Sequence, residues 1–90
     1  MPGSHVRRWV SSPSYAAAIA KLVEARKSSG LSQERLAKAL GKPPSFIAKI
    51  EPGERRLDFV EFIAIARALG LKEADLLRAV TSKLPKKIEI

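Results

Sequence analysis

Between Leu31 and Arg56 the chain reads LSQERLAKALGKPPSFIAKIEPGERR, and few folds can use that string. Ser32 is suited to cap a helix that carries Leu36, Ala37 and Leu40 along one face and stops at Gly41. After Pro43 and Pro44, Ile47 and Ile50 give a second short helix its inward face, and Pro52-Gly53 end it. Two helices of about two turns each, separated by a three- to four-residue turn containing glycine, cannot bury themselves alone. They need other helices around them.

Apolar spacing supplies those helices. Ser12-Pro13-Ser14 predicts a helix start, since serine caps well and proline loses nothing in a first turn. Tyr15, Ile19, Leu22, Val23 and Arg26 then recur at helical intervals up to Gly30. Asp58-Phe59-Val60-Glu61 has the D-x-x-E form of a capping box, followed by an inward stripe of Phe59, Phe62, Ile63, Ala66 and Leu69, with a stop at Gly70. A last helix is expected from about Glu73 to Ser82 with Leu76, Leu77 and Val80 inward. Its acids at 73 and 75 suit the positive end of the helix dipole. In the tail, KLPKKIEI, Ile88 and Ile90 alternate around Glu89, which suggests a short strand or an ordered extension. The expected fold class is all-α, five short helices with a helix-turn-helix at helices 2 and 3. Residues 1–14 form an N-terminal arm, 15–82 the helical domain and 83–90 a C-terminal tail that is a candidate dimerisation segment.

The distribution of charge points to a partner. Ninety residues carry a net charge of +8, and residues 1–57 hold eleven Lys and Arg against four acids. Residues 58–82 hold three against four. The basic surplus therefore travels with the helix-turn-helix and the arm, which favours a polyanion over a generally solvated basic surface. In helix-turn-helix proteins the second helix enters the major groove of DNA. Arg7 and Arg8 of the arm can reach a groove or the backbone; alternatively, Trp9 fastens the arm to the core and leaves them solvated.

Other classes fare worse. The chain has no cysteine, so disulfides and thiolate metal sites are excluded. Its one histidine, His5, has no acid near it in sequence, and there is no glycine-rich phosphate loop. No enzyme activity, cofactor or metal is expected. The opening MPGSHVRRWV lacks the apolar run of a signal peptide, and no stretch approaches the roughly twenty apolar residues of a membrane span. A cytoplasmic protein with no membrane partner, nucleoid-associated when bound to DNA, is the expectation.

The strings RKSSGLSQERLAKALG (26–41) and SFIAKIEPGERR (45–56) resemble the Cro/repressor-type helix-turn-helix, the XRE-like regulators. The likeness spans roughly residues 17–77 and rests on Gly30-Leu31-Ser32-Gln33, Leu36-Ala37, Gly41 and the pattern Ile47-x-x-x-Glu51-x-Gly53. GERRLDFVEFIAIARALGL looks like a small-regulator version of the same family.

The resemblance implies double-stranded DNA as partner and a lambda-repressor-like domain. It places Gln33 and Lys42 near DNA phosphates, and Arg55 and Arg56 in a basic loop near the backbone. Pro44, Ser45, Ala48 and Lys49 fall on the base-facing side of helix 3. It also implies an ion pair between Arg26 and Glu51, where a cation is needed because Glu51 ends a helix whose dipole disfavours an anion. The chain departs from the family's pattern at three places. Pro44 stands where relatives often have Gln, Arg35 where many have Glu, and Lys72 where a capping residue is usual.

Among the base-facing residues, Lys49 can donate to guanine O6 and N7, Ser45 can donate or accept, and Ala48 and Pro44 can touch a thymine methyl. Phe46 either packs on helix 2 or lies against a thymine methyl or the sugar-phosphate backbone. With one long polar side chain on this face, phosphate contacts and DNA shape should carry much of the discrimination. The leading expectation is a sequence-specific transcriptional regulator, acting as a repressor. It would bind an inverted repeat as a homodimer built from helix 5 and the tail, with the Val6–Val10 arm as a further contributor. The alternative is an antitoxin-like or adaptor module working through a protein partner.

Overall fold

In the computed structural model, which describes residues 12–90, Ser12 accepts a hydrogen bond from the Tyr15 amide at 3.3 Å and opens α1, Pro13–Ser28. Four more helices follow: α2 (Gln33–Ala39), α3 (Ser45–Ile50), α4 (Phe59–Ala68) and α5 (Glu73–Thr81). The described residues are all-α, as expected. Arg7, Arg8, Trp9 and the rest of the arm up to residue 11 lie outside the described residues.

Local chemistry sets the boundaries. Ser32 caps α2 through the Arg35 amide at 3.1 Å, while Arg35 cannot supply the reciprocal half of a capping box. Asp58 and Glu61 do form the full box at α4. Lys72 caps α5 with backbone only, and its first turn carries Glu73 and Asp75 instead. Between α2 and α3 the turn depends on Gly41, at φ 70°. That conformation allows the Lys42 amide to reach back to the Ala37 carbonyl at 2.9 Å, closing the helix end. A Cβ there would have open space around it, so only the backbone conformation opposes a side chain.

The core is one cluster. Ile19 and Leu22 from α1, Leu36 and Ala37 from α2, and Ile47 and Ile50 from α3 meet Ile65 and Ala66 from α4, Leu69 at its C-terminal cap, and Leu76 and Val80 from α5. α1 packs along α5, α2 against α3, and α4 against both α5 and α2.

Several sequence expectations shift here. Phe59 is 77% exposed, and the stripe of α4 is centred on Ile65. The reason lies just before the cap. Leu57 and Phe62 both pack on the core, in the N′ and N4 positions of a hydrophobic staple, so the residue at the start of the helix is left outside. On α5, Leu76 and Val80 point inward and Leu77 is 53% exposed, because a 9-residue helix packed on one side buries a narrow stripe. The tail forms no strand: Leu84 is half-buried, its amide bonded to the Thr81 carbonyl, and Ile88 and Ile90 are exposed. No neighbouring strand exists among the described residues to pair with it.

One polar group joins the layers. Arg26, buried on α1, donates from Nε to Glu51 Oε2 at 2.6 Å and from Nη2 to Oε1 at 3.1 Å. Its Nη1 donates to the Leu31 carbonyl at 2.7 Å, and Gln33 Nε2 donates to Glu51 Oε1 at 2.7 Å. The two charged side chains are only 10% and 11% exposed. Every buried side-chain polar atom among the described residues is hydrogen-bonded.

Two outcomes test this reading of the fold. Arg26→Ala or Glu51→Ala is expected to destabilise the domain by about 3–5 kcal/mol, because each strands a buried charge. Urea titration followed by circular dichroism measures this loss. Gly41→Ala is expected to cost about 1–2 kcal/mol through the left-handed backbone alone, lowering Tm by roughly 4–16 °C, with Gly41→Asn less affected.

Candidate nucleic-acid interface

α3 sits with Ile47 and Ile50 buried, which turns Pro44, Ser45, Ala48 and Lys49 outward; all four are exposed. The six-residue helix starts without a side-chain cap, Pro44 itself adopting helical angles and the Phe46 amide bonding the Pro43 carbonyl at 3.0 Å. Its far end is fixed at Glu51 by the Arg26 and Gln33 bonds, so its orientation is set from α1 and α2. Gln33, half-buried, spends one amide N–H on Glu51.

Phe46 is half-buried and packs against the core. Its ring also gathers cations: Lys42 Nζ lies 5.4 Å and Arg55 Cζ 4.8 Å from the ring centroid. Both distances permit a cation–π attraction, favourable even at exposed sites. Arg55 in turn holds Glu61 by two parallel bonds, 3.0 and 2.8 Å. The hydrogen bond from Arg55 holds the Glu61 carboxyl below the usual carboxylate range, helped by the Asp58 backbone amide and opposed by burial. The same bond raises Arg55 above its ordinary value. Arg56 stacks over the Tyr15 ring at 4.3 Å, and Tyr15 Oη accepts the Leu57 amide at 3.0 Å. The loop after α3 is thus fastened both to α4 and to the start of α1.

The structure brings Pro44, Ser45, Ala48 and Lys49 onto one exposed face and places Lys42, Phe46 and Arg55 together beside it. Arg26 and Glu51 lie beneath, in contact with each other. Two cations that the sequence reading did not assign to the site join this margin. Arg35 and Lys38 line an open groove with Glu34, Gly41, Lys42 and Pro44. Their positions, 35, 38 and then 42, continue one helical face into the turn, and that spacing was the available signal. Glu61 was assigned to the helix cap alone. Nothing in a local pattern joins it to Arg55, six residues earlier across a loop.

The arrangement can present cations and short side chains to a polyanion. Among the described residues there is no group of acids, histidines or cysteines suited to a metal ion, and no helix is long and apolar enough to cross a membrane.

Comparison with known proteins places the chain in a family. A helix-turn-helix family model matches residues 22–76. A solved XRE-family-like protein from Pseudomonas syringae pv. tomato is 40% identical, with 80% of this chain and 88% of that chain covered and a TM-score of 0.72. The restriction-modification controller protein C.AhdI from Aeromonas hydrophila is 32% identical over 72% of this chain and 99% of that chain, with a TM-score of 0.60. The clp gene regulator ClgR from C. glutamicum, 23% identical and covering 83% of this chain and 96% of that one, shares the fold at a TM-score of 0.69. A search of curated proteins finds no match. The chain belongs to the XRE-type helix-turn-helix family of DNA-binding transcriptional regulators.

Proposed function

We propose that the protein is a sequence-specific repressor that binds an inverted repeat as a homodimer, with α3 in the major groove. The observation that carries the reading is the exposed face of Pro44, Ser45, Ala48 and Lys49 on a helix whose other side is locked into the core. On this reading Lys49 reads a guanine edge, Ser45 donates or accepts according to the base, and Ala48 and Pro44 meet thymine methyls. Lys42, Arg55, Arg56 and the remaining amide N–H of Gln33 contact phosphates. Phe46 acts on the backbone indirectly, by holding Lys42 and Arg55 at the edge of the groove. Occupying a promoter is enough to repress it, so repression asks for no surface beyond the one that binds DNA.

What supports a dimer is the apolar surface left uncovered on α4, α5 and the tail. Phe59, Val60 and Leu77 are 77%, 61% and 53% exposed, and Phe59 and Leu77 line one groove with Phe62, Ile63 and Ala74. Ile88 and Ile90 of the tail add 48% and 103%. Isolated exposed apolar residues are ordinary, but a groove that joins Phe59, Phe62, Ile63 and Leu77 is the kind of contiguous patch that marks an interface. We assign the interface to α5, the start of α4 and residues 83–90, with the two copies of α3 about 34–36 Å apart, one DNA turn. An antitoxin-like or adaptor module would use the same patch for a different protein.

Selection of duplexes from a random pool, followed by footprinting, tests the reading directly and yields the operator. Lys49→Ala is expected to weaken the selected site by about 1–3 kcal/mol and random DNA much less. Arg56→Ala is expected to weaken both alike and to lower the salt slope by about one. Equal losses for Lys49→Ala on both duplexes would remove it from base reading. Deleting residues 84–90, or Leu77→Glu, is expected to shift sedimentation toward monomer and to reduce operator affinity. A truncated protein that stays dimeric and binds normally would refute the interface. A second protein co-purifying in equal amount from the native host would favour the antitoxin or adaptor reading.

A further inference from the structure

Glu61 does two things at once. It completes the cap of α4, its Oε1 accepting the Asp58 amide at 3.0 Å while Asp58 Oδ1 accepts the Glu61 amide at 2.7 Å. It also grips Arg55, from Nη1 to Oε1 at 3.0 Å and from Nη2 to Oε2 at 2.8 Å. The cap fixes the carboxylate, so the carboxylate fixes the guanidinium. Glu61 is the inner partner, its side chain 19% exposed against 42% for Arg55.

A guanidinium has five N–H donors in one plane. Nη1 also donates to the Arg56 carbonyl at 2.8 Å, so three of the five are committed. The two left are Nε–H and the second Nη2–H. They lie parallel on the one complete edge that remains, the fork geometry that matches two oxygens of a phosphate. Arg55 Cζ lies over the Phe46 ring, 4.8 Å from its centroid, which braces the group on that side. Lys42 Nζ lies 5.4 Å from the centroid of the same ring, so a second cation shares Phe46 with Arg55.

We propose that Glu61 is a positioning residue for DNA binding: it holds Arg55 by one edge so that the Nε/Nη2 edge is kept ready for a backbone phosphate. This rests on the DNA-binding reading above and adds a residue that no cation count would choose. A carboxylate near DNA repels phosphate, and as a simple charge Glu61 would weaken binding. Its contribution here is order: a free arginine loses substantial rotamer freedom when it binds, and Arg55 has already lost it. The two effects have opposite signs, which makes the proposal testable.

The test compares wild type, Glu61→Gln, Arg55→Lys, Arg55→Ala and the Glu61→Gln/Arg55→Ala double variant on the duplex that wild type enriches from a random pool, and on random duplex. Gln keeps the capping box, and Arg55→Lys does not touch the cap, so folding is retained in at least one informative variant. Glu61→Gln is expected to weaken binding roughly five- to tenfold on both duplexes, although it removes a negative charge. Arg55→Lys is expected to fall nearly as far as Arg55→Ala, since lysine keeps the charge and loses the fork. In the Arg55→Ala background Glu61→Gln is expected to cause no further weakening. Unchanged or tighter binding by Glu61→Gln, wild-type binding by Arg55→Lys, or an equal loss in the Arg55→Ala background would each overturn the proposal and leave the DNA-binding reading in place. If wild type binds no duplex even at low salt, the DNA-binding reading falls and this proposal falls with it.

Discussion

The bidentate contact between Arg26 and Glu51 is the constraint on which the placement of α3 depends. α3 has only 6 residues, too few to be stable alone, and it buries just Ile47 and Ile50. Two apolar contacts set its depth in the core but leave its rotation and tilt loosely defined. The ion pair adds a third, directional contact at its C-terminal end, and Gln33 adds a fourth from the first residue of α2. Three helices are thereby referred to one carboxylate. Burying such a pair gains little net stability, since desolvation offsets most of the attraction. Its effect is on geometry: Glu51 with any other partner would leave a buried charge, so one orientation of α3 is selected.

The loop after α3 follows the same economy of parts. Between Glu51 and Asp58 the chain has no helix, yet it is held at three places. Gly53, at φ 90°, turns it, with the Glu54 and Arg55 amides returning to the Lys49 carbonyl at 3.0 and 3.1 Å. Arg55 and Arg56 then take different partners, one Phe46 and Glu61 and the other Tyr15. Cations that are held by rings and carboxylates reach a polyanion with less entropy to lose than cations free in water. The loop therefore behaves as part of the rigid surface.

Much of this was legible in the sequence, for reasons that differ by element. Helix ends were readable because caps and glycine stops are local: Ser12, Ser32 and Asp58 each find their amide three residues on. The contact of Arg26 with Glu51, 25 residues apart, has no local signal and came only through resemblance to a family. Periodicity gave the inward faces but not how far each is covered. Phe59 and Leu77 fit the apolar spacing, and they lie outside because Leu57 and Leu76 take the buried places. The grip of Glu61 on Arg55 crosses a non-helical loop, where no spacing rule applies. Sequence patterns report what an element does to itself, and less about what the neighbouring element leaves uncovered.

That distinction bears on the proposal that the protein tells one DNA from another. The face proposed to read bases offers a proline, a serine, an alanine and one lysine, and a single long polar side chain distinguishes few base pairs directly. The surrounding surface is better equipped: Lys42 and Arg55 gather on Phe46 beside the face, and Arg35 and Lys38 line a groove with Lys42 and Pro44. Phosphate contacts carry no sequence information when the backbone can adapt to them. Contacts fixed in space do carry some, because the DNA must adapt instead, and the cost of bending or narrowing a groove depends on its sequence. On the proposed reading, rigid placement of the cations around α3 contributes to specificity as well as to affinity. The ion pair at Glu51 and the grip of Glu61 on Arg55 supply that rigidity at positions that need make no contact with a base.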